Sequence, residues 1–160
     1  MRINLLLLAL TIVIGAAAAP AIKAQGVRSG PDPSTLRDPE LEKDSQHNLE
    51  VARNYFRLKK AYVAALSRCE EVIDGNPTFA KMEEVLMMAG QSSLWLAENK
   101  GKQNPSLYVS FAGGAKRTLK PEEFREKGRL YLTRLINEFP ESTYRKQAEE
   151  ALSELGAPKP

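Results

Sequence analysis

Cysteine, histidine and tryptophan occur once each in 160 residues, and each scarcity removes a class of chemistry. The lone Cys69 forbids an internal disulfide, so packing alone must hold the fold, and its helical, apolar neighbourhood reads as that of a small core hydrophobe. The lone His47 has no second histidine or cysteine with which to share a metal, and its polar surroundings suit a solvent-facing or locally hydrogen-bonded ring. The sequence contains no Gly-x-x-x-x-Gly-Lys-[Ser/Thr] phosphate cradle, His-Glu-x-x-His zinc motif, Gly-x-Ser-x-Gly elbow or Cys-x-x-Cys pair. No catalytic residue, metal ligand or cofactor is therefore expected. No apolar run reaches the ~20 residues of a membrane-spanning helix. Nor does any segment alternate with the period of two expected of a strand.

What the chain does have begins with a leader. Arg2 precedes an apolar run from Leu5 to Ile14 and a small-residue stretch from Gly15 to Ala19, the order of a secretory signal peptide. Pro20 disfavours a cut after Ala19, which makes Ala24-Gln25 the better site and 1–24 the leader. No cysteine stands at that junction, so no lipid anchor is encoded. Removing Arg2 and Lys23 brings the 23 basic residues close to balance with the 20 acidic ones. The remaining charges alternate in sign along the helices, which excludes a nucleic-acid face. Residues 25–38 are rich in Gly, Pro, Ser and charge and read as a disordered tether, and 157–160 read as a frayed tail.

Between them, 39–156 reads as an all-α domain of about five antiparallel helices. Asp38-Pro39-Glu40 combines a capping side chain, a proline in the first turn and an acid near the positive helix end, predicting a helix from Pro39 to Lys59. Leu49, Ala52 and Phe56 line one of its faces. Tyr62, Ala65, Leu66, Cys69, Val72 and Ile73 keep the i, i+3, i+4, i+7 spacing of a second helix, which Asp74-Gly75-Asn76-Pro77 stops. A third, from Phe79 to Glu98, turns Met82, Leu86, Ala89, Ser93 and Leu96 inward. Pro121 to Phe139 makes a fourth, with Phe124, Gly128, Leu132, Leu135, Ile136 and Phe139 as its stripe. The fifth, from Ser142 to Leu155, presents Ala148, Ala151, Leu152 and Leu155.

These helices repeat. Cys69-x-x-Val72-Ile73-x-x-x-Pro77 recurs as Leu132-x-x-Leu135-Ile136-x-x-x-Pro140. Glu83-Glu84-Val85-Leu86-x-x-Ala89-Gly90 likewise recurs as Glu149-Glu150-Ala151-Leu152-x-x-Leu155-Gly156. A period of about 34 residues accommodates that spacing only with an insertion, most of which the stretch 99–120 supplies. The pattern resembles the tetratricopeptide repeat: Leu49, Phe56, Tyr62, Ala65 and Pro77 fall where that family has a large apolar residue, two aromatics, an alanine and a closing proline. Arg53 stands where the family has a small residue. More narrowly, His47-Asn48-Leu49-Glu50-Val51-Ala52, Tyr55-Phe56 and Tyr62-x-Ala64-Ala65-Leu66-x-Arg68-Cys69-Glu70 resemble the opening repeat of BamD-like proteins, periplasmic scaffolds of outer-membrane β-barrel assembly. The family carries a lipid-bearing cysteine and more repeats. This chain lacks the cysteine and has about 2.5 repeats.

The resemblance implies a tetratricopeptide-like solenoid whose first helix in each pair lines a concave groove. Transferring the family's groove positions selects His47, Asn54 and Arg57 in the first repeat, and Met87, Gln91, Leu94 and Trp95 in the second. Trp95 suits either a groove contact or packing against the inserted loop. Among the methionines, Met82 and Met88 fit buried packing. The acid pairs Glu70-Glu71, Glu83-Glu84, Glu122-Glu123 and Glu149-Glu150 point about 100° apart on a helix, which suits solvated faces and helix starts better than shared acid–base work. In the insertion, Tyr108, Phe111 and Gly113-Gly114 allow either a flexible loop or a small partner-docking hairpin. The functional expectation is a non-enzymatic periplasmic adaptor that binds protein partners, outer-membrane assembly components among them, and is peripheral to the membrane at most. An envelope-organising repeat protein that binds peptidoglycan or division machinery shares these features and stays open.

Overall fold

The computed structural model describes residues 37–112 and 115–156. The leader 1–24, the tether as far as residue 36 and the tail 157–160 lie outside the described residues. Among the described residues, five α-helices pack against one another, each on the next helix in sequence, α3 on α4 included although the insertion separates them. No helix of the described part is long and apolar enough to cross a membrane.

Helix α1 (Pro39–Arg53) starts as its sequence dictates: the Asp38 carboxylate accepts from the backbone N–H groups of Glu40 at 2.9 Å and Leu41 at 3.4 Å, satisfying donors that have no intrahelical partner. Its last stretch, Asn54–Lys59, widens into π-helical turns, closed by Lys60 at φ 50°. Helix α2 (Tyr62–Gly75) then runs back along α1. At its end the Asn76 amide donates to Glu42 and to Ser45, both at 3.1 Å, so a buried polar pair pins the open end of the hairpin with its hydrogen bonds met. Helix α3 (Met82–Ala97) is the most enclosed, and Met82, Leu86, Ala89, Ser93 and Leu96 are all buried there.

The fourth helix, α4 (Pro121–Glu138), crosses α3 in an antiparallel register, and α5 (Arg145–Leu155) packs on α4. The crossing is close because both helices place glycine at it. A Cβ on Gly90 would lie 2.6 Å from Cδ2 of Leu132, and one on Gly128 would lie 2.5 Å from Cδ2 of Leu94. Alternate helices also touch, through Arg53 and Glu84 between α1 and α3 and through Glu70 and Lys127 between α2 and α4.

Of the two readings that the sequence left open for the insertion, the structure has the small hairpin, although no strand-length alternation announced it. A 3₁₀ turn at Pro105–Leu107 leads into β1 (Val109–Ala112), paired antiparallel with β2 (Ala115–Thr118) from Val109↔Thr118 to Ala112↔Ala115. Four residues per strand are too few for alternation to register as a pattern, and such a hairpin is marginal without further packing. Tyr108, just before β1, supplies that anchor and is 6% exposed. The base of the insertion is tied as well, since Lys102 N–H donates to the Lys60 carbonyl at 2.9 Å. Gly101 at φ 97° leaves room there for the Tyr62 ring, 2.6 Å from where a Cβ would sit.

Candidate functional site

The first, third and fifth helices together line one cleft of about 170 Å³. Phe56 and Arg57 reach it from the π-helical end of α1, Met87, Met88 and Gln91 from α3, and Tyr144 and Gln147 from the start of α5. Three of the seven residues selected through the family resemblance, Arg57, Met87 and Gln91, are thereby brought together. Met87 is only 3% exposed, so it forms floor and not the open contact surface expected of it.

The other four selected residues go elsewhere. His47 and Asn54 are exposed and line a different hollow along α1, with Glu50, Val51, Tyr55 and Lys59. Leu94 borders a cleft with Glu98, Arg125 and the end of α5 and packs against the Gly128 crossing. Trp95 is half-buried in an aromatic stack, 4.8 Å from the Phe56 ring and 4.6 Å from the Tyr62 ring. A helix advances about 100° per residue, so Leu94 and Trp95, three and four places beyond Gln91, diverge to either side of the cleft.

Beside the cleft, Arg53 donates through Nε to one oxygen of Glu84 at 2.7 Å and through Nη2 to the other at 2.6 Å. This bidentate pair explains how a long cation occupies a position that suits a small residue. The hydrogen bond from Arg53 holds the Glu84 carboxyl below the ordinary range and lifts the guanidinium in turn, against the opposing effect of burial.

A second polar cluster joins α2, α4 and the insertion. Glu70 accepts from the Tyr108 hydroxyl at 2.9 and 2.8 Å, from the Tyr131 hydroxyl at 2.7 Å and from Lys127 Nζ at 2.5 Å. Burial first, and then the Glu70 charge, push both phenols well above their ordinary values. They stay protonated and donate.

Glu83-Glu84 and Glu122-Glu123 do stand in the first turns of α3 and α4, but Glu70 and Glu84 depart from the reading of solvated faces. Their side chains are 17% and 14% exposed and bind cations on alternate helices, while Glu71 points outward to Arg68 at 2.5 Å. Of the four pairs, only Glu70-Glu71 and Glu83-Glu84 have a member with a distant partner that local sequence cannot show; Glu122-Glu123 and Glu149-Glu150 pair within six residues. The one available signal was Arg53, which stands where the family that the chain resembles has a small residue.

In chemical terms the cleft can hold and orient a polar or charged group. Cys69 is 1% exposed, and burial pushes its thiol upward, so it stays neutral and unreactive. Among the described residues no group of three or more His, Cys, Asp or Glu side chains is placed to hold a metal. No protein-family model, curated protein or solved structure matches the chain.

Proposed function

We propose that this chain is a non-enzymatic periplasmic adaptor of tetratricopeptide type, BamD-like in its opening repeat. It holds segments of partner proteins, outer-membrane β-barrel assembly components first among them, in the groove between its first, third and fifth helices. The observation that carries this reading is the shared cleft. Arg57, Met87 and Gln91, three of the seven positions transferred from the family that the chain resembles, lie on two helices and line one concavity with residues of a third, an arrangement consistent with a solenoid's concave face. The leader-like start of the sequence supports export.

The size of the cleft supports a protein partner over a small molecule. About 170 Å³ falls short of the ~300 Å³ at which small-molecule pockets begin, and suits a side chain presented on a longer segment. Replacing Gln91 with a photo-crosslinking phenylalanine analogue in the full chain tests the reading in cells. Irradiation should give an adduct containing an outer-membrane assembly component. A folded, exported chain that gives no protein adduct sinks the adaptor reading.

A further inference from the structure

Several polar side chains gather around the cleft with their hydrogen-bonding capacity unused within the protein. Among the described residues, the Arg57 guanidinium, the Gln91 and Gln147 amides and the Tyr144 hydroxyl have no hydrogen-bond partner, although all four groups line the same concavity. The neighbouring charges are spoken for, because Arg53 takes both oxygens of Glu84. Arg57 is therefore the cation at the cleft that lacks an acid within ion-pair distance among the described residues.

Glu84 also lines the cleft, but with both of its oxygens engaged by Arg53 its charge is matched, and Arg57 is left to receive an entering carboxylate. Beneath lie Met87 and Met88, 3% and 5% exposed, and the half-buried Phe56 ring. Thioethers and an aromatic face accept an apolar neighbour without demanding one shape.

We propose that the cleft binds an extended segment of a partner protein that carries an acidic side chain next to an apolar one. The carboxylate pairs with Arg57, the apolar group rests on the Met87–Phe56 floor, and the main chain bonds to the Gln91 and Gln147 amides. An extended main chain offers both donors and acceptors, which an amide side chain can meet and a carboxylate or ammonium cannot. The pairing with Arg57 is charge-assisted and admits bidentate geometry. The proposal rests on the adaptor reading for its partner class, and on the cleft's own chemistry for its charge preference.

Two blocked pentapeptides, acetyl-Ala-Leu-Glu-Ala-Leu-amide and its Gln counterpart, test it by titration into the full ¹⁵N-labelled chain. With the Glu peptide, the side-chain signals of Arg57, Gln91 and Gln147 should shift, and affinity should exceed that of the Gln peptide by about tenfold, the worth of one charge-assisted contact. Arg57→Gln should abolish the difference and leave the melting temperature unchanged. Equal affinities, shifts confined to other surfaces, no shifts at millimolar peptide, or a preference that survives Arg57→Gln would each overturn the proposal. A photo-adduct from Gln91 combined with equal peptide affinities would retain the adaptor and discard the acidic partner. Glu-selective binding without any envelope adduct would do the reverse.

Discussion

Gly90 and Gly128 face each other where α3 crosses α4. The Gly90 carbonyl oxygen lies 3.2 Å from the place a Cβ on Gly128 would take, so at this point backbone meets backbone. Absent side chains set the spacing of the two central helices.

The two glycines should respond differently to alanine. On Gly90 the new methyl meets both Cγ and Cδ2 of Leu132, at 2.7 and 2.6 Å, and Leu132 is fully buried with nowhere to turn. Overpacking costs of about 1–3 kcal/mol should outweigh the helix-propensity gain of up to ~1 kcal/mol. On Gly128 the methyl meets chiefly Leu94, which is half-exposed and can rotate, so Gly128→Ala should be the milder change. Urea midpoints check the order. A Gly90→Ala chain at least as stable as the parent contradicts the crossing.

Arg53 and Glu84 should be linked to acid stability. Glu84 titrates below its ordinary 4.5 in the folded chain, so its contribution is complete above that value and fades as pH falls through the lower folded-state pKa. Glu84→Gln should cost about 1–2 kcal/mol at neutral pH, allowing for partial exposure. The gap between parent and variant should close on acidification. A gap that stays constant with pH would detach the pair from stability.

Tyr108 and Tyr131 should make the fold sensitive to base. Both phenols are held above their ordinary 10.0, so the unfolded chain releases these protons first and stability falls as pH rises beyond that value. Glu70→Gln removes the second cause of the shift and the counter-charge of Lys127. The variant should lose about 2 kcal/mol at neutral pH yet show a shallower alkaline decline. Hydrogen exchange in β1 and β2 should quicken with it, because Tyr108 no longer has its carboxylate. An unchanged alkaline slope would remove Glu70 from the account.

Trp95 should behave as a packing residue. Its stack on Phe56 and Tyr62 joins the end of α1, the start of α2 and α3, so Trp95→Ala should cost about 3 kcal/mol, and Trp95→Phe clearly less. Thermal melts followed by far-ultraviolet circular dichroism measure both. A melt left unchanged by Trp95→Ala would move the indole out of the packing and into the groove.

Helices and their inward faces were readable from local spacing. Tyr62 through Val72 are buried at each expected position, and Pro77 and Pro140 each follow a helix end, because periodicity and terminators act within a few residues of themselves. Transfer of the resembled family's groove positions picked out three residues, Arg57, Met87 and Gln91, that line one cleft. It could not carry Tyr144 and Gln147, whose place depends on how α5 lies against α3. The choice between loop and hairpin in the insertion stayed open for a related reason: four-residue strands take their stability from Tyr108 reaching Glu70 on a distant helix.

By itself, then, the sequence determined that this chain makes amphipathic helices, their limits to within a few residues, and which face each turns inward. Those properties are local, set by a helical period and by caps. The π-helical turns over Asn54–Lys59 and the later starts at Met82 and Arg145 were not legible in it. The tertiary structure alone decided which helices meet and at what distance. The Gly90–Gly128 crossing sets α3 against α4, Arg53 and Glu84 join α1 to α3, and Glu70 gathers two tyrosines and a lysine from separate elements. Ion pairs and close crossings depend on three-dimensional distance, and a linear spacing rule carries no information about it.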